Sequence, residues 1–277
     1  MPISSWKENR MKLFCFDIDG TLMPFGDYEI PQEERDALQA LLDKGHAICL
    51  SSGRPFCSLV HHLAPFQGKR KYYICANGAA VYNHHGDIIK ETHLTVDDYL
   101  YVLNKYGPRG VSVYAYEGRE GIVTTEFNKW VEEEIDYNLI QEKDICVVSS
   151  QKEMRQHPLL MKIMMVMESK ELQDQGLDEE DMIRFDFSRS APQYFELLEK
   201  GSSKGARVED LRVHLGVAPE DVYCFGDQGN DISMVERFNG VAMGNAIPEL
   251  KKVAKYVTLD AKEHGVVHAL KNILKVI

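Results

Sequence analysis

Asp17 and Asp19 stand two positions apart in CFDIDGTL, where the apolar run KLFCF ends and just before Gly20. Carboxylates spaced this way can share out a reaction. One attacks an electrophile as nucleophile, and its neighbour gives up and later takes back a proton. Three other apolar runs end in similar polar turns: HAICL at Ser51, Ser52 and Gly53, KYYICA at Asn77, and DVYCF at Gly226 and Asp227, with Asn230 and Asp231 close behind in GDQGND. Lys204, in GSSKG, opens a predicted helix. Carboxylates gathered in one place raise each other's pKa unless a cation joins them, and their oxygens suit a hard divalent ion such as Mg2+. Mg2+ takes only one or two protein carboxylates and completes its shell with water and phosphate oxygens, so the set points to a metal and a phosphorylated ligand together. A carboxylate approaching a phosphate dianion meets a repulsion of about 4 kcal/mol per charge pair at ~4 Å and an effective dielectric of ~20. Mg2+, Lys204, the Ser52 hydroxyl and the N–H groups at Gly53 and near Ile18 are the positive ends available to cancel it.

These residues are far apart in sequence, so the fold must bring them together. The four runs are short, continuous and rich in aromatic or branched side chains, which fits strands buried on both faces of a parallel sheet. Helical signals lie between them. Pro31 opens one, Glu33, Glu34 and Asp36 favour its positive end, Ala37, Leu38, Leu41 and Leu42 recur at helical spacing, and Gly45 closes it. Ser203 to Leu215 and Asp231 to Phe238 read the same way. The alternation predicts an α/β fold with a doubly wound, Rossmann-like parallel sheet, whose ligands collect beyond the carboxyl ends of the strands where strand order reverses. From about Glu91 to Ala191 the pattern changes to a helix over Thr95 to Tyr106, an alternating stretch Val111 to Tyr116, a helix near Phe127 to Tyr137 and an apolar run at 159–167. The division expected is a core of residues 1–90 and 192–277 with an inserted α+β cap at 91–191. Such a cap would act as a lid hinged near 84–92 and 188–193. Arg119, Lys162 and Arg189 are its candidates for meeting an anionic or hydroxylated substrate.

Composition excludes several classes of function. The 277 residues are 44% hydrophobic and 9% aromatic, enough for well-formed cores. A net charge of −11 with no dense Lys/Arg run argues against nucleic acid or an anionic membrane as partner. MPISSWKENR lacks an apolar segment after its charges, and Leu159 to Met167 is too short for a membrane span, so a cytoplasmic protein is expected. The six cysteines form no CxxC pair, and Cys15, Cys49, Cys75 and Cys224 lie inside apolar runs, as reduced buried thiols do. His61-His62 and His84-His85 are adjacent pairs that cannot share a helix face, and they read as surface or loop residues. LLMKIMMVM reads as core packing of the insert, and Trp130 as one anchoring aromatic on a solvated helix.

Taken singly, each site residue has an ordinary structural explanation: an Asp at a strand end caps a helix, and Ser52 could cap the helix after Pro55. The order FDIDGT, LSSGR, GSSKG, FGDQGND resembles the haloacid dehalogenase-like superfamily, whose motifs run DxDGT, a strand-end Ser or Thr, a Lys, and GDxxND. NGAAVYN, VAMGNA and the large insertion are similar to the Cof-type branch with a type IIB cap. The resemblance implies that Asp17 is the nucleophile and Asp19 the general acid/base whose backbone carbonyl also meets the metal. Lys204 would neutralise charge. It implies phosphate binding by Ser52, Gly53, Lys204 and Asn230, Mg2+ binding by Asp17, Asp19 and Asp227, and support from Asp231 and Asn77. Ser52 stands where Thr is commoner, and strand alternation alone leaves Ser51 open. The expected activity is a Mg2+-dependent phosphatase acting on small phosphorylated metabolites, sugar phosphates among them, through an aspartyl-phosphate. A phosphomutase is the alternative within the same fold. A dehalogenase has no need of Asp19 or Asp227, a phospho-signalling receiver is much shorter, and a non-catalytic phospho-ligand-binding module would not need the full set.

Overall fold

The computed structural model describes residues 10–119 and 121–277, so the reading of the N-terminal segment falls, except for Arg10, outside the described residues. The chain first lays down three parallel strands, β1 (Leu13–Phe16), β2 (Ala47–Ser51) and β3 (Lys71–Cys75), joined by the helices Gln32–Asp43 and Phe56–Leu63. An antiparallel hairpin, β4 (Ala80–Asn83) and β5 (Ile88–Glu91), extends the sheet. After the helix Val96–Tyr106 a second sheet is built from β6 (Ser112–Glu117), β7 (Gly121–Thr124), β8 (Ile145–Val147), β9 (Leu160–Val166), β10 (Asp186–Ala191) and β11 (Tyr194–Leu198). The chain then returns through the helix Lys204–Leu215 to β12 (Val222–Gly226), β13 (Asn239–Ala242) and β14 (Tyr256–Val257).

The first sheet runs β14-β13-β12-β1-β2-β3-β4-β5, and every residue of β1 is buried. Strand order reverses at β1, so the crevice expected of a doubly wound sheet opens beyond the carboxyl ends of β1, β2 and β12. Ring pairs lock the strands in register: Phe16 lies 4.7 Å from Phe225 and Phe14 5.0 Å from Tyr223, centroid to centroid. Cys15 is in register with Cys49 on one side and Cys224 on the other, and all three thiols are free and buried. Among the described residues no helix is long and apolar enough to cross a membrane.

The second sheet runs β10-β11-β9-β6-β7-β8, antiparallel apart from the β7–β8 pair. β9 is buried along its whole length because both of its faces are covered. Ile163 and Met165 pack with Tyr99 and Val102 of the helix Val96–Tyr106, while Met164 and Val166 belong to the cluster shared with the first sheet. β11 pairs with both β10 and β9, so the second sheet reaches Leu198 and the return to the first sheet comes after it, not at 192. A hairpin cannot be divided between two sheets, and β10 and β11 are joined by one tight turn.

His62, expected at the surface, is buried at 8% exposure on the helix Phe56–Leu63, whereas its neighbour His61 is exposed. Burial, with His61 and Arg54 nearby, pulls the His62 imidazole down to about 4. A histidine held neutral in the fold takes up a proton more readily when unfolded, so its contribution is complete above pH ~6.5 and is lost as pH falls toward 4. The loss at full protonation is about 3 kcal/mol. His62→Leu should therefore flatten the fall in Tm between pH 6.5 and 4. Parallel acid profiles for the two proteins would remove His62 from that account.

Candidate active site

Asp17 is the first residue beyond β1, and its N–H donates to the Phe225 carbonyl at 3.0 Å, continuing the β1–β12 ladder by one step. Asp227 follows β12 directly. The same ladder therefore fixes both residues at the mouth of the crevice. Lys204 opens its helix behind Ser203, whose hydroxyl accepts the N–H of Ala206 at 3.1 Å. The lysine is 1% exposed, and its Nζ donates to Asp17 Oδ1 and to Asp231 Oδ1, each at 2.7 Å. The other oxygen of Asp231 accepts the N–H groups of Asp227 at 3.0 Å and Gln228 at 3.1 Å, which folds GDQGND into a closed turn. Two glycines make the close approach possible. Gly20 has φ +87°, and a Cβ there would meet Asp227 Oδ2 at 2.5 Å; at Gly226 one would meet Asp231 Cβ at 2.4 Å.

Asp17, Asp227 and Asp231 each offer a carboxylate oxygen within 4.8 Å of the others. Burial, with Asp231 and Asp227 adding to it against Lys204, holds Asp17 well above the usual carboxylate range. Burial and Asp231 push Asp227 up to about 7. Burial alone would lower Lys204, but the carboxylates of Asp17 and Asp231 outweigh it and hold the ammonium protonated. Three carboxylates against one lysine leave negative charge uncompensated, and a compact set of oxygen donors fits a hard divalent cation. Asp227 is already oriented for that duty by Thr21 Oγ1 at 3.3 Å, Gln228 Nε2 at 3.1 Å and Asn245 Nδ2 at 3.4 Å.

Asp19 is not in this cluster. Its carboxylate takes a two-pronged contact from Arg54, with Nε at 3.0 Å and Nη2 at 2.6 Å, and the guanidinium stacks over the Tyr137 ring at 4.2 Å. Ser52 is buried, and its hydroxyl accepts the Arg54 N–H at 3.3 Å. A cavity of about 450 Å³ has Asp17, Asp19, Ser52, Gly53 and Asn230 on one wall. Asn77, at φ +55°, stands behind that wall. Its Nδ2 donates to Glu196 at 2.7 Å and to Ser188 at 2.9 Å, and its Oδ1 accepts from Asn230 at 3.0 Å. Lys162 reaches from β9 to Glu196 Oε2 at 2.7 Å and to the Gly53 carbonyl at 2.9 Å.

Of the residues singled out by the strand-end pattern, Asp17, Asp19, Ser52, Gly53 and Asn230 line the cavity, and Asn77, Asp227 and Asp231 stand directly behind them. Two of the cap candidates do not join them. Arg119 lies over the Phe56 ring at 4.6 Å, and Arg189 bonds the Pro192 carbonyl and covers Phe195. Arg54, Tyr137, Glu196 and Asn245 were not singled out from the sequence. Arg54 and Asn245 lie inside stretches already quoted, LSSGR and VAMGNA, so adjacency to the motif was the available signal. Tyr137 and Glu196 carry no local signal at all.

Comparison with known proteins agrees with this geometry. The family described as haloacid dehalogenase-like hydrolase matches residues 14–270. The putative phosphatase YxeH of Bacillus subtilis is 33% identical, with 94% of this chain and 97% of that protein covered. A solved haloacid dehalogenase-like hydrolase from Bacteroides thetaiotaomicron superposes with a TM-score of 0.80 at 27% identity, covering 95% of this chain and all of the other. The subclass IIB sugar phosphatase BT4131 gives 0.81 at 26% identity over 96% of this chain and the whole of that one. With both sheets, the strand-end aspartates and the buried lysine in place, the chain belongs to the haloacid dehalogenase-like hydrolases.

Proposed function

We propose that this protein is a Mg2+-dependent phosphatase of small phosphorylated metabolites, sugar phosphates among them. The observation that carries the reading is the meeting of Asp17, Asp227, Asp231 and Lys204 at the switch point of the sheet. Lys204 fixes one oxygen of Asp17 and so orients the carboxyl as a nucleophile. An Asp17 oxygen attacks phosphorus, the bond to the ester oxygen breaks, and Asp19 protonates the departing alcohol. Asp19 then takes a proton from water as the water attacks phosphorus, which frees phosphate and restores Asp17. Ser52, the Gly53 N–H, Lys204 and Asn230 are the groups that hold the transferring phosphoryl oxygens. Asp17, the backbone carbonyl of Asp19 and Asp227 would hold Mg2+, whose charge on the phosphate oxygens lowers the repulsion met by an anionic nucleophile. Asp231 and Asn77 support these groups from behind.

The relatives are named as phosphatases, one of them for sugar phosphates, and a cavity of about 450 Å³ matches a small ligand. Cys15, Cys49, Cys75, Cys146 and Cys224 carry free thiols, in keeping with a cytoplasmic protein. Hydrolysis of 4-nitrophenyl phosphate with Mg2+ tests the reading. EDTA should reduce turnover to background and added Mg2+ should restore it. Undiminished turnover in EDTA would overturn the metal dependence, and no release of phosphate under any condition would overturn the phosphatase.

A further inference from the structure

The cavity has two chemically different ends. At the core end lie Asp17 and Asp19, with Asp227, Asp231 and Lys204 packed behind Asp17. At the other end the second sheet and the helix Lys129–Asn138 contribute Tyr116, Tyr194, Glu133, Glu134 and Tyr137. A ligand with a second negative charge would need a cation there, and among the described residues lining the cavity both basic side chains are already engaged. Arg54 is held by Asp19 through two contacts, and Lys162 is buried against Glu196 and the Gly53 carbonyl. Lys204, just behind Asp17, is shared by two aspartates. Separating Lys162 from Glu196, or Lys204 from its two aspartates, would strand a buried carboxylate.

The charged groups left at that end are Glu133 and Glu134 of the helix Lys129–Asn138. Glu134 is fully used, taking the hydroxyls of Tyr114 and Tyr116 and the amide of Asn138. Glu133 differs: it is exposed on its helix, and among the described residues it meets only the Tyr194 hydroxyl, at a loose 3.4 Å. Its carboxylate is therefore available to a donor on the ligand and repels an anion. We infer that the site takes phosphate monoesters whose leaving alcohol carries hydroxyl or amino donors and no second anionic group, with Glu133 setting that preference. The inference rests on the phosphatase reading above.

Three six-carbon esters that differ in the group remote from the phosphate separate the possibilities: glucosamine 6-phosphate, sorbitol 6-phosphate and 6-phosphogluconate. Each is measured as an alternative substrate and as a competitor of 4-nitrophenyl phosphate hydrolysis by the Mg2+-loaded full chain. The carboxylate ester should be the poorest by about tenfold in kcat/KM and in inhibition constant, the cost of one like charge at a partly wet rim. Glu133→Lys should close or reverse that gap, read as the ratio of kcat/KM between esters within each protein. Equal behaviour of the three esters, or a preference for 6-phosphogluconate, would overturn the inference, as would a gap that Glu133→Lys leaves untouched. Failure of the wild type to hydrolyse 4-nitrophenyl phosphate would instead bring down the phosphatase reading, and this inference with it.

Discussion

Asp17→Asn should leave a folded protein whose turnover falls by roughly 10^4-fold or more, the scale seen when a covalent nucleophile is removed. The substitution keeps an oxygen where Lys204 Nζ now donates at 2.7 Å, so the hydrogen bond that anchors the lysine has an acceptor in the variant. It removes a carboxylate that burial and three acidic neighbours, Asp231, Asp227 and Asp19, already disfavour in its charged form. The lysine retains Asp231 as counter-ion at the same 2.7 Å. Stability should therefore hold or rise slightly, most clearly at neutral pH where the buried charge is costliest. The check is phosphate release alongside a thermal melt of the same sample. A well-folded Asp17→Asn variant with substantial turnover would exclude Asp17 as nucleophile, and a variant that fails to fold would show that the charge of Asp17 is structural.

The parts of this molecule that could be read from sequence are those in which a local pattern and a global constraint coincide. A continuous run such as LFCF can be buried on both faces only within a covered parallel sheet, and the polar residue that ends it must then emerge at the carboxyl edge. Asp17, Ser52, Asn77 and Asp227 were legible for that reason, and Lys204 through its place at a helix start. What was not legible depends on contacts between segments with no shared pattern. Asn77 and Glu196 meet across 119 positions, and Lys162 joins them from a third segment, β9. Nothing near Glu196 marks it as other than an ordinary strand residue. Arg54 was visible as a letter in LSSGR, but its grip on Asp19 depends on how the loop beyond β2 folds back over β1. The division at 192 missed the end of the second sheet because Pro192 looks like a boundary, whereas here it lies in the turn of the β10–β11 hairpin. His62 went wrong for a related reason. Adjacency rules out a shared face for two histidines but does not say which of the pair turns inward.

Lys204→Met should be the most damaging single change outside the nucleophile, because the lysine is the only side-chain cation that the described structure places against Asp17 and Asp231. Its side chain is fully buried, as is that of Asp231. Removing one member of such a network leaves charge stranded in a poorly solvated site and costs about 3–5 kcal/mol. Turnover should fall by about 10^2–10^3-fold as well, since a positive end that stabilises the transferring phosphoryl group is lost. The pH dependence identifies the cause. Without the lysine the three clustered carboxylates bind protons more tightly in the fold than in the unfolded chain, so the folded state gains from acidification. The deficit against wild type should be largest at neutral and alkaline pH and shrink as pH falls and the cluster takes up protons. Mg2+ should recover part of the lost Tm, because a cation that binds only the folded cluster stabilises it by mass action. A cavity left by a shortened apolar stem would produce neither effect. A deficit that is flat in pH and indifferent to Mg2+ would therefore assign the damage to packing and remove the charge argument for Lys204.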